Sequence, residues 1–553
     1  MSTQNKKTSV KNAEINLIIL GAVVITLSLT PWVNADSLII PKQILLFCLA
    51  IFLIPKLVIN VRPLMNLKLF RILILLSILF ILQMVVVILT SDAPFEQEFY
   101  GRTGRSLGFA TYFSLTIILL VTAIYARFNS IKTVNLGIFI SCLITSLYSI
   151  LQYYGLDIFA WVTATNGIIG TLGNPNFQSS FAAMALLPTA VYFWGSRGKT
   201  LFSIPLILIL LYTLFICEST QGYIASASAI SIFILIYFYY KNKSILIFAT
   251  LLVGVSAIVA LAGMLNKGPL SYFLYKGSVI SRGEMWQSAL SAANSNPIFG
   301  VGLDSFGDVS LLYRNEKTAN GIAEYTDNAH NFFLQFALTG GYPLAILYSL
   351  IILVSLYAFY SIQKSINKFD KNFTALFSAW FCFQLQSFIS PANISMLVWN
   401  FIICGVLIGC AFKDINEPHS QNIDISNLAF YTRPFSYFLL IFGLLVMYPY
   451  FNSDKLAWQS LETGDGLLAV KAAKMYPESS LRYQRISLAL FNSNLYDQSL
   501  DVARSAARFN PKSRAAWFLI LMNEKAPLEE RRQAKARVLE LDPFNKEALL
   551  YNL

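Results

Sequence analysis

Apolar residues along this chain come in blocks separated by short charged connectors. Runs at roughly 15–33, 38–58, 69–90, 107–126, 134–153, 177–195, 200–217, 222–240 and 244–264 precede a long polar stretch. Runs at roughly 329–361, 373–389, 394–411 and 434–451 follow it. Each is near the ~20 residues that cross a hydrocarbon core as a helix. The pattern predicts an all-α, polytopic membrane bundle of about 13 spans. The 329–361 run is too long for one straight crossing. Gly340-Gly341-Tyr342-Pro343 inside it predicts a short outer helix followed by the true span.

Composition agrees: 56% of residues are hydrophobic and 13% charged, too apolar for a soluble chain of 553 residues. The net charge of +12 is no nucleic-acid signal, because much of it lies in connectors between spans. One set of connectors carries Lys56, Arg62, Lys68, Arg71, Arg127, Lys132, Arg197, Lys199, Lys241, Lys243, Lys364, Lys368, Lys371, Lys413 and Arg433. With Lys6, Lys7 and Lys11 of the polar tail 1–14, that set reads as cytoplasmic. The alternate loops are nearly free of Lys and Arg, except 91–106 and the large loop 265–328. Cations that break the orientation bias need another reason, and binding an anion supplies one. The Val33-Asn34-Ala35 stretch before Asp36 looks like a signal-peptidase site, though an uncleaved first span is the preferred reading. All six cysteines fall in apolar runs and read as small buried hydrophobes.

Three units follow: a cytoplasmic tail (1–14), a membrane domain (15–451) and a helical repeat domain (454–553) on the extracytoplasmic side. In the last, Pro477, Pro511 and Pro543 lie 34 and 32 residues apart, each after a helix rich in small residues. That period matches tetratricopeptide-like helix pairs, a module that binds protein partners.

Candidate chemistry clusters on the outer side. His330, one of two histidines, stands where a polar loop meets a helix start; the other, His419, lies in a polar connector. A lone histidine there reads as a cap or as a base. Asp327, three residues earlier, is placed to orient it. Arg102 and Arg105 in YGRTGRSLG share one face of a turn before a span, where two guanidinium forks suit a pyrophosphate. Headgroup anchoring is the plainer reading. Asn174 and Asn176 flank Pro175 in a rigid turn whose amides suit sugar hydroxyls or a helix cap. Ser281 reads as the N-cap of an amphipathic helix with Arg282 in its first turn and Trp286 one turn on. Trp286 fits an interfacial anchor or a platform for sugar or isoprenoid. Asp304 and Asp308 read as solubilising loop residues. Glu218 and Gln221 fall in a tight outer turn. Glu96 and Glu98 form the one close carboxylate pair outside, a weak metal candidate. No Walker loop, Rossmann glycine pattern or GxSxG is present.

The GNPN turn, the R…W…NPIFGVGLDSFG loop and the AHNFFLQ…TGGYP segment, in that order, resemble the O-antigen ligase/polymerase superfamily over roughly residues 15–411. The resemblance implies an all-helical membrane bundle with a large periplasmic loop. It implies a glycan donor on undecaprenyl pyrophosphate and no metal, nucleotide or other cofactor. It matches His330 and Arg282 to the family's loop histidine and arginine. Where many relatives carry Ser-Arg-Gly, this chain has Thr220-Gln221-Gly222, and Arg102 or Arg105 is left to supply that charge. The implied reaction is transfer of the glycan to an acceptor hydroxyl, with His330 as base and Arg282, Arg102 and Arg105 on the leaving pyrophosphate. Ligase, surface-polysaccharide polymerase and protein O-oligosaccharyltransferase remain open, with a lipid, glycan or protein acceptor. A solute transporter and an assembly scaffold are the readings from other classes. Span centres nearly free of ionisable residues speak against the transporter.

Overall fold

The computed structural model describes residues 3–159, 161, 167–195, 197–319, 326–414 and 425–553; His419 lies outside them. Every regular element described is an α-helix. In chain order the first ten are α1 (Thr3–Leu27), α2 (Ile40–Leu64), α3 (Lys68–Thr90), α4 (Phe95–Tyr100), α5 (Phe109–Tyr125), α6 (Ser130–Tyr153), α7 (Pro175–Phe193), α8 (Arg197–Ile216), α9 (Thr220–Lys241) and α10 (Lys243–Met264). The large loop carries α11 (Ser271–Leu274), α12 (Gly277–Ser295), α13 (Phe306–Val309) and α14 (Glu316–Ala319). Then come α15 (Phe332–Ile366), α16 (Lys371–Ser387), α17 (Ile394–Asp414) and α18 (Ile425–Thr463).

Among the described residues, 9 helices are long and apolar enough to cross a membrane, and Ala13–Leu27 and Phe109–Tyr125 are shorter apolar helices. α7 and α16 also occupy predicted apolar runs. They carry buried polar side chains, among them Gln178, Ser179, Gln384 and Gln386, which dilute their apolar character.

α17 is the axis of the bundle: its apolar stretch Ile394–Ala411 is wholly buried. Gly405 and Gly409, one turn apart, let it lie against the backbone of α5. A Cβ at Gly405 would meet Leu119 O at 2.8 Å, and one at Gly409 would meet Ala123 O at 2.6 Å. Small residues at this spacing are how helices approach closely in a membrane. Polar side chains also join helices within the core: Trp399 Nε1 donates to Thr26 Oγ1 at 3.0 Å, and Gln384 Nε2 to Asn400 Oδ1 at 2.7 Å. The buried Lys42 ammonium donates to the α1 carbonyls of Thr26 (2.8 Å) and Ile25 (3.3 Å) and to Ser28 O just beyond (2.9 Å). Charge at a helix C-terminus complements the dipole there and satisfies its orphan acceptors.

Loops gather at two ends. One end ties Asn34 to Phe451 O, the Asp36 N–H to Asp454 and the Gly104 N–H to Asp36. The other joins Lys371 to Trp194 O and Asn135 to Asn372 O. α18 continues unbroken past residues 451–454 into the C-terminal part. There α19 (Gly466–Ala473), α20 (Ser480–Asn492), α21 (Tyr496–Phe509), α22 (Arg514–Met522), α23 (Leu528–Leu541) and α24 (Lys546–Leu550) close over a core of their own. Small residues such as Ala472, Ala503, Ala507 and Ala534 line that core.

The break expected in 329–361 is present at Gly341 (φ 75°, ψ 167°) inside α15. A regular helix would bond the Tyr342 N–H to Leu338 O. Here Tyr342 donates to Pro297 O and Leu338 O accepts from the Val301 N–H, both at 2.8 Å. The 297–301 loop thus inserts into the broken helix, and Gln83 clasps both Ile298 O (2.7 Å) and Gly340 O (3.0 Å). Only glycine fits at 341, because a Cβ would lie 2.1 Å from Ile298 O. Gly341→Ala is therefore expected to lower the thermal unfolding temperature of the detergent-purified protein. The backbone conformation alone costs on the order of 1–3 kcal/mol for a non-glycine residue. An unchanged melting temperature would show that the loop is not locked at this point.

Candidate active site

The site is built from the large loop, the 101–108 turn, the start of α15 and the outer ends of α7 and α9. The turn is stitched from within. Asp304 Oδ2 accepts the N–H groups of Arg102 (2.8 Å) and Leu107 (3.0 Å). Burial pushes the Asp304 carboxyl up to about 6, against the pull of those donors. Asp308 receives the Arg102 guanidinium at 2.9 Å. Both aspartates are therefore structural anchors and not the solubilising loop residues that their sequence context predicts.

Arg105 forms a bidentate pair with Asp327, Nε to Oδ2 at 3.0 Å and Nη2 to Oδ1 at 2.9 Å. Burial works to raise the Asp327 carboxyl, but Arg105 above all, with Arg102 and His330, holds it down at about 2. Because both Asp327 oxygens belong to Arg105, Asp327 orients that arginine. Among the described residues it makes no hydrogen bond to His330, contrary to the sequence expectation.

His330 precedes the N-cap of α15. Asn331 Oδ1 caps the helix on the Leu334 N–H (3.0 Å), and Asn328 Oδ1 accepts the His330 N–H (2.9 Å). The Asn-Ala-His-Asn sequence so holds His330 in a left-handed conformation (φ 51°), which displaces its side chain from the helix it leads into. Burial depresses the imidazole to about 4, helped by the positive charges of Arg105 and Arg282 and opposed by Asp327. The ring is neutral at physiological pH.

A cavity of about 770 Å³ opens at Arg282, which acts electrostatically on His330; His330, Arg102 and Arg105 do not line it. Ile224, Leu261, Met264, Leu265, Val279 and Ile280 form its apolar walls; its polar side carries Asn176, Gln221, Arg282, Lys276 and Trp286, together with the carboxylates Glu218 and Glu284. Gln221 is 6% exposed, and among the described residues neither its Oε1 nor its Nε2 has a hydrogen-bond partner. Trp286 Nε1 and Arg282 Nε are likewise buried and unmatched. Buried donors without partners are costly unless a ligand satisfies them. Burial also lowers the Arg282 pKa, while its Nη1 donates to Ser278 O at 3.0 Å.

The structure thus brings Asn176, Gln221, Arg282 and Trp286 to one cavity, and Arg105 and Arg282 within electrostatic reach of His330. Arg102 is engaged by Asp308 to one side. Asn174 does not line the cavity; its Oδ1 caps α7 on the Asn176 N–H at 2.8 Å. Asn176 Oδ1 in turn accepts the Ser219 hydroxyl at 2.6 Å. Ser281 is not a cap: α12 begins a turn earlier, at Gly277, because Val279 and Ile280 extend its apolar face into the cavity wall. Lys276, also lining the cavity, was missed as a site residue. Its signal was its membership of the outer cations. Glu98 is folded inward, its Oε1 accepting the Leu303 N–H at 3.0 Å, and burial raises it to about 7. Among the described residues no three His, Cys, Asp or Glu side chains gather as metal ligands.

Among the described residues, nine apolar helices of membrane-spanning length define a multi-pass helical membrane protein. The pattern of the family described as O-antigen ligase matches residues 182–349, a stretch that holds Gln221, Arg282, Trp286 and His330. An uncharacterized protein of Haemophilus influenzae (strain ATCC 51907 / DSM 11121 / KW20 / Rd) is 25% identical over 295 residues, which cover 50% of this chain and 73% of that protein.

The depressed imidazole is directly measurable. His419→Gln leaves His330 as the sole histidine, and carbon-13 NMR of the labelled ring in nanodiscs follows its titration. The expected midpoint is about 4 in place of 6.5. A midpoint near 6.5 would show that neither burial nor the arginines act on the ring.

Proposed function

We propose that this chain is a glycosyltransferase of the O-antigen ligase type, moving a glycan from undecaprenyl pyrophosphate to an acceptor hydroxyl at the extracytoplasmic face. One observation carries the reading. An apolar cavity, suited to an isoprenoid, ends in the unmatched polar atoms of Gln221, Trp286 and Arg282, and Arg282 lies within electrostatic reach of a neutral histidine. The family match over residues 182–349 supports it.

In the proposed reaction the acceptor oxygen attacks the anomeric carbon, and its proton passes to the neutral His330 imidazole. The bond from that carbon to the pyrophosphate oxygen breaks, and the oxygen keeps the electron pair. Arg282 and Lys276 stabilise the charge that builds there. Burial, helped by Arg105 fixed on Asp327, keeps His330 deprotonated, and Arg105 adds to the positive field. Arg102 holds the turn. Asn176 and Trp286 contact the glycan or the first isoprene. The residues present need no metal ion in these steps.

In the same reading the N-terminus is cytoplasmic, about 13 segments cross the membrane, and the tetratricopeptide-like domain is extracytoplasmic. Basic connectors such as Lys56 and Lys371 lie at the end of the bundle opposite the site, which supports that orientation.

Turnover and binding of a lipid-linked donor by purified variants test the roles. His330→Ala is expected to lower the transfer rate by roughly 10²–10⁴ with donor binding nearly intact. Arg282→Ala is expected to reduce both, and Arg282→Lys to rescue poorly, since a point charge does not reproduce the planar fork. Activity is expected to survive EDTA. Wild-type turnover in His330→Ala would remove the base, and loss with EDTA that Mg²⁺ or Mn²⁺ restores would overturn the metal-free scheme.

A further inference from the structure

The C-terminal helices repeat one local design. A proline turn is followed two residues later by a helix N-cap. Ser479 caps α20, Ser513 caps α22 and Asn545 caps α24, two residues after Pro477, Pro511 and Pro543. The period therefore places three equivalent turns along one edge of the module, and each turn touches the outer loops of the membrane domain.

At the first turn the Ser479 hydroxyl meets Thr103 Oγ1 at 2.8 Å, and Ser480 meets Gln97 Oε1 at 3.4 Å. At the second, Asn510 Nδ2 donates to Asp308 Oδ2 at 3.0 Å, and Lys512 pairs with Asp92 at 3.2 Å. At the third, Asp542 pairs with Arg314 at 2.6 Å. These contacts are buried or partly buried, except the exposed Lys512–Asp92 pair. Asn510 is 1% exposed and Asp542 2%, values of a folded core and not of a free docking edge. Arg482 fastens the first turn from behind, donating to Pro477 O at 2.6 Å and to Ser453 of α18 at 2.9 Å.

Asp308 is the junction. Its Oδ1 holds Arg102, and its Oδ2 accepts both Gln97 (2.7 Å) and Asn510 (3.0 Å). Arg102 begins the turn that carries Arg105, and Arg105 acts on His330. We infer that the repeat module is a built-in brace behind the active site: its proline-turn edge clamps the 101–108 turn, and Asn510 is a positioning residue for Arg102 and Arg105. The clamp geometry stands by itself. Its effect on donor handling rests on the transferase reading above. A module that only recruited partners would have no reason to bury this edge against its own membrane domain.

The test uses the full chain in nanodiscs. Asn510→Leu removes the donor at Asp308, and Ser480→Ala, a milder change, removes the hydroxyl that joins Asn510 to Gln97. Arg504→Ala, on the exposed Arg504–Glu530 pair away from the turns, is the control. Hydrogen–deuterium exchange over residues 101–107 is expected to quicken roughly tenfold or more in Asn510→Leu. That ratio corresponds to losing a buried hydrogen bond to a carboxylate. Ser480→Ala is expected to show a smaller change in the same segment, and Arg504→Ala none. In Asn510→Leu the donor KM is expected to rise, and the acid limb of the rate to move up in pH as Arg105 loosens from His330. Wild-type exchange over 101–107 in both turn variants, with the module still folded by its melting transition, overturns the inference. Quickened exchange with unchanged KM and pH profile overturns the link to catalysis. Because exchange needs no turnover, failure of the transferase reading leaves the clamp itself separately decided.

Discussion

The open hydrogen bond at Gly341 is the constraint on which the outer face depends. A helix interrupted at membrane depth leaves a carbonyl and an amide that lipid cannot satisfy. Here the 297–301 loop supplies both partners, through Pro297 O and Val301 N–H. That exchange fixes the end of α12, which carries Arg282 and Trp286, against the helix that His330 leads into. It also aims the Leu303–Asp308 segment at the 101–108 turn. The loop is long, but its return point is set by two backbone hydrogen bonds and a glycine that no other residue replaces.

From that anchor the charges sort themselves. Arg102 and Arg105 look alike in sequence, three residues apart, yet each is matched to its own aspartate, Asp308 and Asp327. Arg282 faces an apolar cavity with its Nε unmatched. Matched arginines hold geometry and project a field; Arg282, bonded among the described residues only to the Ser278 carbonyl and with its Nε unmatched, is the one the proposed reading assigns to an anion. Burial, helped by the charges of Arg105 and Arg282, keeps His330 neutral; in the proposed reaction those cations serve the leaving group while the histidine keeps its base form.

Much of this was legible in the sequence, for identifiable reasons. Apolar runs of bilayer length, the Gly-Gly-Tyr-Pro break and the proline period are local patterns, and each coincides with a local feature of the structure. The convergence of Asn176, Gln221, Arg282 and Trp286 on one cavity was approached through motif order, not through physics. The partners of the arginines were not legible. Asp304, Asp308 and Asp327 lie about two hundred residues from the turn they hold, and no periodicity links them. Ser281 misled because a serine before a helical pattern reads as a cap, whereas the apolar Val279-Ile280 pair carries the helix a turn further back. The close approach of α17 to α5 at Gly405 and Gly409 was not read from the apolar run that carries them, because the facing helix is remote in sequence. The proline turns announced a repeat; that their common edge is buried against Thr103, Asp308 and Arg314 emerged only in three dimensions.

The central claim is that the cavity beside Arg282 receives a lipid-linked pyrophosphate. It is tested most directly by irradiating the purified protein with a polyprenyl pyrophosphate that bears a photoreactive group near its head, then mapping the adducts by mass spectrometry. Adducts are expected on Ile224, Leu261 and Met264, competed by unlabelled lipid pyrophosphate and lost in Arg282→Ala. Labelling spread over lipid-facing residues such as Leu251 and Ile258, equal in wild type and Arg282→Ala, would contradict it.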